Sequence, residues 1–308
     1  MSTGLHDEVV GTGGPHPNMQ RRFFLSAIGL IPALAITART SHAAPQSASG
    51  GKPGIRKRQV GIALGGGSMH GIAHVGVLKA FAEQGLEFQV IAGTSAGAII
   101  GVLAAAQFPY DEIDVIARRF EWPGVTSLSW SGKGLLQHTK LRALIDNALD
   151  NRRLEQLPIQ FAAITTDVAT GERVIICSGE AGAAVSASAS IPVMFEPVKI
   201  SGRDLVDGGL TEPVPVLAVR EMGADIVIGV DVAFRPYEEQ IQGLTGVAFQ
   251  TMHIMSNALI KEQIRSADIA IQMNLHHFIG KENFHDQLIA AGYVAAMRAW
   301  PKIAALLS

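Results

Sequence analysis

Ser95 is the residue of this sequence whose type and neighbours most directly suggest chemistry. It lies at the centre of Gly93-Thr94-Ser95-Ala96-Gly97, which fits the pattern G-x-S-x-G. A Val/Ile segment precedes this pentapeptide and an alanine-rich segment with helical spacing follows it, which is the context of a nucleophile elbow. The alternative interpretation is a plain turn between a strand and a helix, because so short a pattern also arises by chance. The context favours a nucleophilic serine.

A serine nucleophile also needs hydrogen-bond donors for the negative charge that forms on the carbonyl oxygen of its substrate. The glycine-rich loop 65–71 provides candidate donors in the backbone amides of Gly66, Gly67 and Ser68. Its glycines put no Cβ atoms in the way of a substrate. The alternative is a phosphate-binding loop, but the loop lacks the Lys-Ser/Thr end of a P-loop and the glycine spacing of a dinucleotide fingerprint.

Asp207 is the candidate base for the serine. It ends a short apolar segment and two glycines follow it, which leave room for another group to approach closely. An Asp carboxyl normally titrates near pH 4 and is a poor base for a hydroxyl, so this role requires burial and a hydrogen bond with the serine. The alternative for this residue is an Asp-Gly turn in a hairpin. A second architecture uses a histidine late in the chain. Its candidates are His253, His276, His277 and His285.

Alternating strand and helix patterns must position these residues. From Arg58 onward, segments rich in Val and Ile alternate with segments of helical spacing, beginning with a strand at 59–64 and a helix that stops at Gly85. Further strands are predicted within 88–95, 159–170, 172–178, 203–209 and 225–233. The segment 180–193, which contains SASAS, is predicted to be a helix that Pro192 stops. This order predicts an α/β fold with a mostly parallel sheet that is covered on both faces. No linker rich in Pro, Ser and Gly interrupts residues 58–308, which are therefore predicted to form one catalytic domain.

The N-terminal part of the chain has a different pattern. Arg21-Arg22 precedes Phe23-Phe24-Leu25, an apolar stretch runs to about Ile36, and Ser41-His42-Ala43 has the small residues of a cleavage site. This order predicts a twin-arginine-like export signal over residues 1–43 and a flexible linker over residues 44–57. The chain is then expected to be periplasmic or secreted. The alternative is an uncleaved anchor in the inner membrane.

Composition excludes several classes of function. The formal net charge of 308 residues is −2, which offers no electrostatic footprint for a nucleic acid. The only cysteine is Cys177, so neither an internal disulfide framework nor a multi-cysteine metal site is expected. We predict no cofactor and no metal, because serine chemistry needs neither and no cluster of His, Asp and Glu has the spacing of metal ligands.

Four motifs together resemble the bacterial patatin-like phospholipases. They are LGGGSMHGIAHVGVL, GTSAG, SASASIPVMFEPV and DGG, in this order between about Gln59 and Asn274. The resemblance implies a three-layer α/β/α sandwich and a lipid acyl hydrolase with a Ser-Asp dyad, here Ser95 and Asp207. It also implies an oxyanion hole at Gly66, Gly67 and Ser68.

The sequence departs from the family pattern in the glycine-rich loop. The family usually has a third glycine where Ser68 stands, and an Arg or Lys where His70 stands. The serine is expected to tighten the loop. A histidine in place of a fixed cation makes any positive charge at this position dependent on pH.

Three functions remain open from the sequence. The first is an exported hydrolase that acts on lipid or on a membrane surface, where Trp122 and Trp130 either insert into the interface or cover the core. The second is a serine hydrolase of soluble esters, thioesters or peptides. The third is a non-catalytic lipid-binding protein that keeps the fold.

Overall fold

Eight strands form the central sheet. The computed structural model describes residues 58–119, 126–129, 132–235, 243–278 and 282–308. Hydrogen-bonded strands follow one another in the sequence β10-β9-β1-β2-β5-β8-β7, and β6 also pairs with β5. Their bounds are β1 Val60–Leu64, β2 Val90–Thr94, β5 Gln160–Asp167, β6 Arg173–Ile176, β7 Val198–Ile200, β8 Arg203–Asp207, β9 Ile226–Asp231 and β10 Ile269–Gln272; a separate pair is formed by β3 Ser127–Leu128 and β4 Leu136–Gln137.

Helices cover both faces of this sheet. In chain order they are α1 Ala73–Glu83, α2 Ala96–Ala105, α3 Tyr110–Ala117, α4 Thr139–Ala148, α5 Ala181–Ser188, α6 Val216–Glu221, α7 Gly243–Gln263 and α8 Phe284–Leu307. A 3₁₀ turn at Ser68–Ile72 leads into α1, and another at Gly208–Leu210 follows β8.

The side chains of the central strands alternate between two hydrophobic clusters. Ile62 and Leu64 of β1 pack with α1, α2 and α8 on one face, whereas Ala63 between them packs with α6 on the other. The adjacent strand follows the same alternation, because Ile91 is in register with Ile62. All five residues of β1 and of β2 are buried, as expected for strands between two helical layers. The predicted three-layer α/β fold with a mostly parallel sheet is confirmed.

Strands β2 and β8 meet end to end against one edge of β5. Strand β2 runs parallel to β5 as far as the pair Thr94–Ile164, and β8 runs antiparallel to β5 from the pair Asp207–Thr165. Strand β6 pairs with residues of β5 that overlap both of these stretches, so it must occupy the opposite edge. The last residues of β2 and β8 therefore lie next to one another along β5, which brings the residues that follow β2 close to Asp207.

Two local expectations differ from the structure. The patterns above do not predict β7 and β10, which have only three and four residues and adjoin other elements. The helix expected to continue to Pro192 ends at Ser188 instead. The chain leaves the helix because the carbonyl of Ser190 accepts a hydrogen bond of 2.9 Å from the amide of Asp207.

Some predictions concern residues outside the described part of the chain. These are the export signal at 1–43, the linker at 44–57, Trp122 and Trp130. Among the helices that the structure describes, none has both the length and the apolar composition needed to span a membrane.

Candidate active site

Ser95 lies on a strained turn between β2 and α2. Its backbone has φ 55° and ψ −122°, a left-handed conformation that costs a non-glycine residue about 1–3 kcal/mol. The flanking glycines allow the close packing that this turn requires. A Cβ atom on Gly97 would lie 2.0 Å from the carbonyl oxygen of Leu64, and one on Gly93 would lie 2.4 Å from the carbonyl oxygen of Gly97. The turn is therefore sterically incompatible with larger residues at both positions.

Hydrogen bonds from neighbouring elements hold this turn in place. The amide of Ser95 donates to Oγ of Ser188 at 2.9 Å, and that hydroxyl donates to the carbonyl of Ile164 on β5 at 2.6 Å. On the other side of the serine, Oγ1 of Thr94 donates at 2.8 Å to the carbonyl of Glu212, in the loop after β8. These bonds tie the turn to β5 and to the segment that follows Asp207.

Asp207 ends β8 beside this turn and is buried, with 6% of its surface exposed. Burial raises the pKa of its carboxyl to about 6, while hydrogen bonds from the Ser95 hydroxyl and the Gly209 amide act in the opposite direction. The amide of Gly209 donates to Oδ1 at 2.7 Å. A carboxyl with this pKa is mostly ionised at pH 7, and it is a stronger base than an exposed aspartate. The structure thus brings together Ser95 and Asp207 in the relation that the sequence analysis required.

The glycine-rich loop faces the same site, but one of its three predicted donors is engaged elsewhere. The amide of Gly66 donates to the carbonyl of Pro213 at 2.9 Å, so it is not free to bind an oxyanion. Gly66 instead permits close approach, because a Cβ atom there would lie 3.3 Å from Cβ of Ser95. Within the described residues, the amides of Gly67 and Ser68 have no acceptor. Of the three predicted oxyanion donors, only these two amides remain available.

Ser68 and His70 are the two positions where the glycine-rich loop departs from the family pattern. Ser68 adopts φ 47°, a conformation that a glycine would reach without strain. His70 is 1% exposed, donates from Nδ1 to the carbonyl of Val232 at 3.2 Å, and stacks on Phe234 with 3.9 Å between ring centroids. Burial lowers the pKa of His70 to about 4. His70 is therefore uncharged near neutral pH, and the position does not carry the pH-dependent positive charge considered from the sequence.

Two cavities open on either side of Ser95. A narrow cavity of about 100 Å³ is lined by apolar residues of α2, α3 and α4, by the 3₁₀ turn before α1, and by His138 and His285. A wide cavity of about 560 Å³ lies between the glycine-rich loop, the segment after β8 and α7. Ser68, Met69 and Ser95 border both cavities, whereas Asp207 borders only the wide one. A substrate bound at Ser95 can therefore extend in two directions.

The late histidines occupy different places around the site. His253 lines the wide cavity, and burial lowers its pKa. His285 lines the narrow cavity, and His276 and His277 lie in a 3₁₀ turn after β10. The hydrogen-bond donors that act on Asp207 are Ser95 and Gly209. No histidine is among the groups that shift the pKa of Asp207.

Ser188, whose hydroxyl accepts the hydrogen bond of the Ser95 amide, is not among the predicted site residues. The signal for it was the serine-rich stretch SASAS, whose small residues the sequence analysis placed only in a helix. In the described part of the chain, no group of three or more His, Cys, Asp or Glu side chains is arranged to hold a metal ion.

Comparisons with known proteins concern the family of this chain. The family model described as "Patatin-like phospholipase" matches residues 62–220, about half of the chain, and this range includes Ser95 and Asp207. An uncharacterized NTE family protein of Mycobacterium tuberculosis (strain ATCC 25618 / H37Rv) is 34% identical over 180 residues, which cover 58% of this chain and 50% of that protein. The lysophospholipase NTE1 of Saccharomyces cerevisiae is 31% identical over 179 residues, covering 56% of this chain and 11% of that protein. The chain thus spans half or less of the length of these relatives.

The fold is also similar to that of a solved structure. VipD from Legionella pneumophila superposes with a TM-score of 0.54 at 14% identity, over 80% of this chain and 67% of that chain. At this identity the likeness concerns the fold alone. The elbow at Ser95, the glycine-rich loop and the Asp-Gly-Gly turn all lie within the range that the family model matches. The chain belongs to the patatin-like phospholipase family.

Proposed function

We propose that this protein hydrolyses carboxylic ester bonds of lipids, with Ser95 as nucleophile and Asp207 as general base. The observation that carries the proposal is the position of Ser95, which borders two cavities, beside the buried Asp207 carboxyl, whose pKa the serine hydroxyl lowers. The strained turn supports the proposal as well. It keeps the Ser95 hydroxyl at the border of both cavities, although the backbone conformation of this residue is unfavourable.

The first half of the reaction forms an acyl-enzyme. Oγ of Ser95 attacks the ester carbonyl carbon while its proton passes to Asp207. The carbonyl oxygen becomes an oxyanion, which accepts hydrogen bonds from the amides of Gly67 and Ser68. Each such donor contributes about 3–4 kcal/mol to the stability of the transition state. When the tetrahedral intermediate collapses, the alcohol leaves and takes the proton from Asp207.

The second half of the reaction releases the fatty acid. Asp207 accepts a proton from a water molecule, which attacks the acyl carbon, and the same amides bind the second oxyanion. Oγ of Ser95 then leaves the acyl carbon and regains the proton from Asp207. The dyad returns to its initial state, and the net reaction consumes one water and one ester.

Membership of the family supports a lipid as the substrate class. The relatives above include a protein named as a lysophospholipase, and both cavities are lined mainly by apolar side chains. A mostly apolar cavity with a few polar groups at the reacting centre suits a molecule with an ester and a hydrocarbon chain. A soluble ester or thioester of similar shape is the competing substrate class.

The test combines an active-site label with a substrate panel. Purified full-length chain is treated with a fluorophosphonate probe and assayed on lysophospholipid, phospholipid, triglyceride and a short soluble ester, beside S95A. We expect labelling and lipid hydrolysis in the wild type and neither in S95A. Absence of labelling in the folded wild type would favour the non-catalytic lipid-binding alternative. Labelling with hydrolysis of the soluble ester alone would favour the soluble substrate class.

We further propose that residues 1–43 direct export by the twin-arginine route. The paired arginines, the short apolar stretch and the small residues before Ala44 support it. Mass spectrometry of the exported protein should find an N-terminus at Ala44. An exported fraction that begins at Met1 would instead indicate an uncleaved signal that anchors the chain.

A further inference from the structure

We propose that the narrow cavity binds the acyl chain of the substrate and that the wide cavity binds its alcohol portion. This inference rests on the proposed function and adds to it a direction for the substrate and a limit on the enclosed part of the chain. Both cavities begin at Ser95, so geometry at the nucleophile alone does not decide between the two orientations.

The position of Asp207 determines which cavity receives the acyl chain. Asp207 borders the wide cavity and not the narrow one. In the first half of the reaction Asp207 must give its proton to the leaving alcohol, and in the second half it must take a proton from the attacking water. The alcohol and the water occupy the same position beside the acyl carbon in turn, because deacylation reverses acylation with water in the place that the alcohol has left. They must therefore lie on the side of Asp207, and the acyl chain is left with the other cavity.

The walls of the narrow cavity suit a hydrocarbon chain. One side consists of Ala96, Ile99 and Ile100, which share a face of α2, and Ala117 of α3 and Leu141 of α4 line it as well. Ala117 and Leu141 are buried, with 8% and 1% of their surfaces exposed. A methylene that enters this cavity exchanges water for contacts with these apolar walls and gains free energy of transfer.

The size of the narrow cavity limits how much of the chain it encloses. An apolar cavity of about 150 Å³ is known to hold one benzene molecule, which has six carbon atoms. The narrow cavity measures about 100 Å³ and by this scale encloses roughly four carbon atoms. Each enclosed methylene should raise kcat/KM about fourfold, and carbons beyond the cavity should add little.

The test measures kcat/KM on 4-nitrophenyl esters whose acyl chains have 2 to 12 carbons. We expect kcat/KM to be about 16-fold higher for the butanoyl ester than for the acetyl ester. This increase in kcat/KM should end at acyl chains of about five or six carbons. The variant A117F places a ring in the cavity and should reduce this preference to below about 3-fold. The variant I99A enlarges the cavity and should extend the gain by about two carbons.

Two control variants make the outcome specific. V115F makes the same kind of change on the same helix, but Val115 is 55% exposed, so the acyl preference should stay as in the wild type. S256W narrows the wide cavity, and it should lower kcat/KM for butanoyl esters of bulky alcohols relative to methyl butanoate. It should leave the butanoyl-to-acetyl ratio unchanged.

The outcomes separate this inference from the proposed function. If the wild type hydrolyses esters but S256W, and not A117F, abolishes the acyl preference, the assignment of the two cavities is reversed. A steady gain up to 12 carbons that neither A117F nor I99A alters would also overturn it. Loss of all activity on esters would refute the proposed function instead. If A117F fails to fold, I99A still tests the cavity by a change in the opposite direction.

Discussion

Replacing Asp207 with asparagine should inactivate the protein and stabilise it at the same time. Burial raises the pKa of this carboxyl from 3.8 to about 6 in the folded chain. Above pH 6 the folded protein therefore holds a buried charge that the unfolded chain exposes to water. The difference of about 2 pH units corresponds to about 3 kcal/mol at about 1.4 kcal/mol per unit. Asparagine has the same shape, can still accept the Gly209 amide, and removes this cost.

Because the pKa of Asp207 is raised in the folded state, the gain in stability from D207N depends on pH. A carboxyl with a raised pKa destabilises the fold increasingly as pH rises from about 4 to above 6, because the folded state binds the proton more tightly than the unfolded state does. D207N should therefore unfold about 6–12 °C above the wild type at pH 8, and at nearly the same temperature as the wild type at pH 4. Differential scanning calorimetry at both pH values, beside the ester assay, measures the two effects.

A matched control lies on the same strand. Asp204 belongs to β8 but is partly exposed and forms an ion pair of 3.1 Å with Lys133. D204N makes the same chemical change and should shift the melting temperature by little at either pH, because an exposed ion pair contributes little to stability. If D207N were no more stable than the wild type at pH 8, or gained equally at pH 4 and pH 8, the idea of a costly buried charge at Asp207 would be wrong.

Four further predictions concern the same site. First, kcat/KM for an ester should rise with pH with a midpoint near 6, because the free enzyme is active when Asp207 is ionised; a rate independent of pH between 5 and 7 would contradict it. Second, S188A should lower kcat at least tenfold with little change in KM, because it removes the acceptor of the Ser95 amide, and an unchanged kcat would show that the turn holds its geometry unaided. Third, H253Q should retain at least half of kcat, whereas a loss as large as that of D207N would make the histidine the base. Fourth, G97A should prevent folding or lower the melting temperature strongly, since its Cβ would meet the Leu64 carbonyl at 2.0 Å; circular dichroism on heating detects this, and a normal melting curve would refute the steric argument.

Local features of the site follow from the sequence. The elbow needs only a strand, a helix and glycines on both sides of Ser95, and these are neighbours in the chain. The same applies to the parallel sheet, since β1, β2 and β9 are apolar except for Thr94 and Asp231 at the ends of β2 and β9, and helical segments lie between them. Short-range sterics and hydrophobic patterning act over a few residues, so their consequences follow directly from the sequence.

Other features of the site depend on contacts between distant segments. Gly66 looks like a free donor in the sequence, but its amide meets the carbonyl of Pro213, almost 150 positions later. His70 looks like a titratable replacement for a cation, but its burial, stacked on Phe234, lowers its pKa to about 4 despite the opposing hydrogen bond to the Val232 carbonyl. Hydrogen-bond partners and burial depend on which segments meet, and local residue types do not reveal them.

The sequence by itself determined most of the alternation of strands and helices, the serine turn and a set of residues suited to ester chemistry. Only the tertiary structure decided that β2 and β8 end side by side on β5, which places Asp207 against Ser95. It also decided that Asp207 borders one of two cavities. The physical reason is that a pKa, a free amide and the shape of a cavity are properties of the space between segments, and that space exists only after the sheet and its helices have packed.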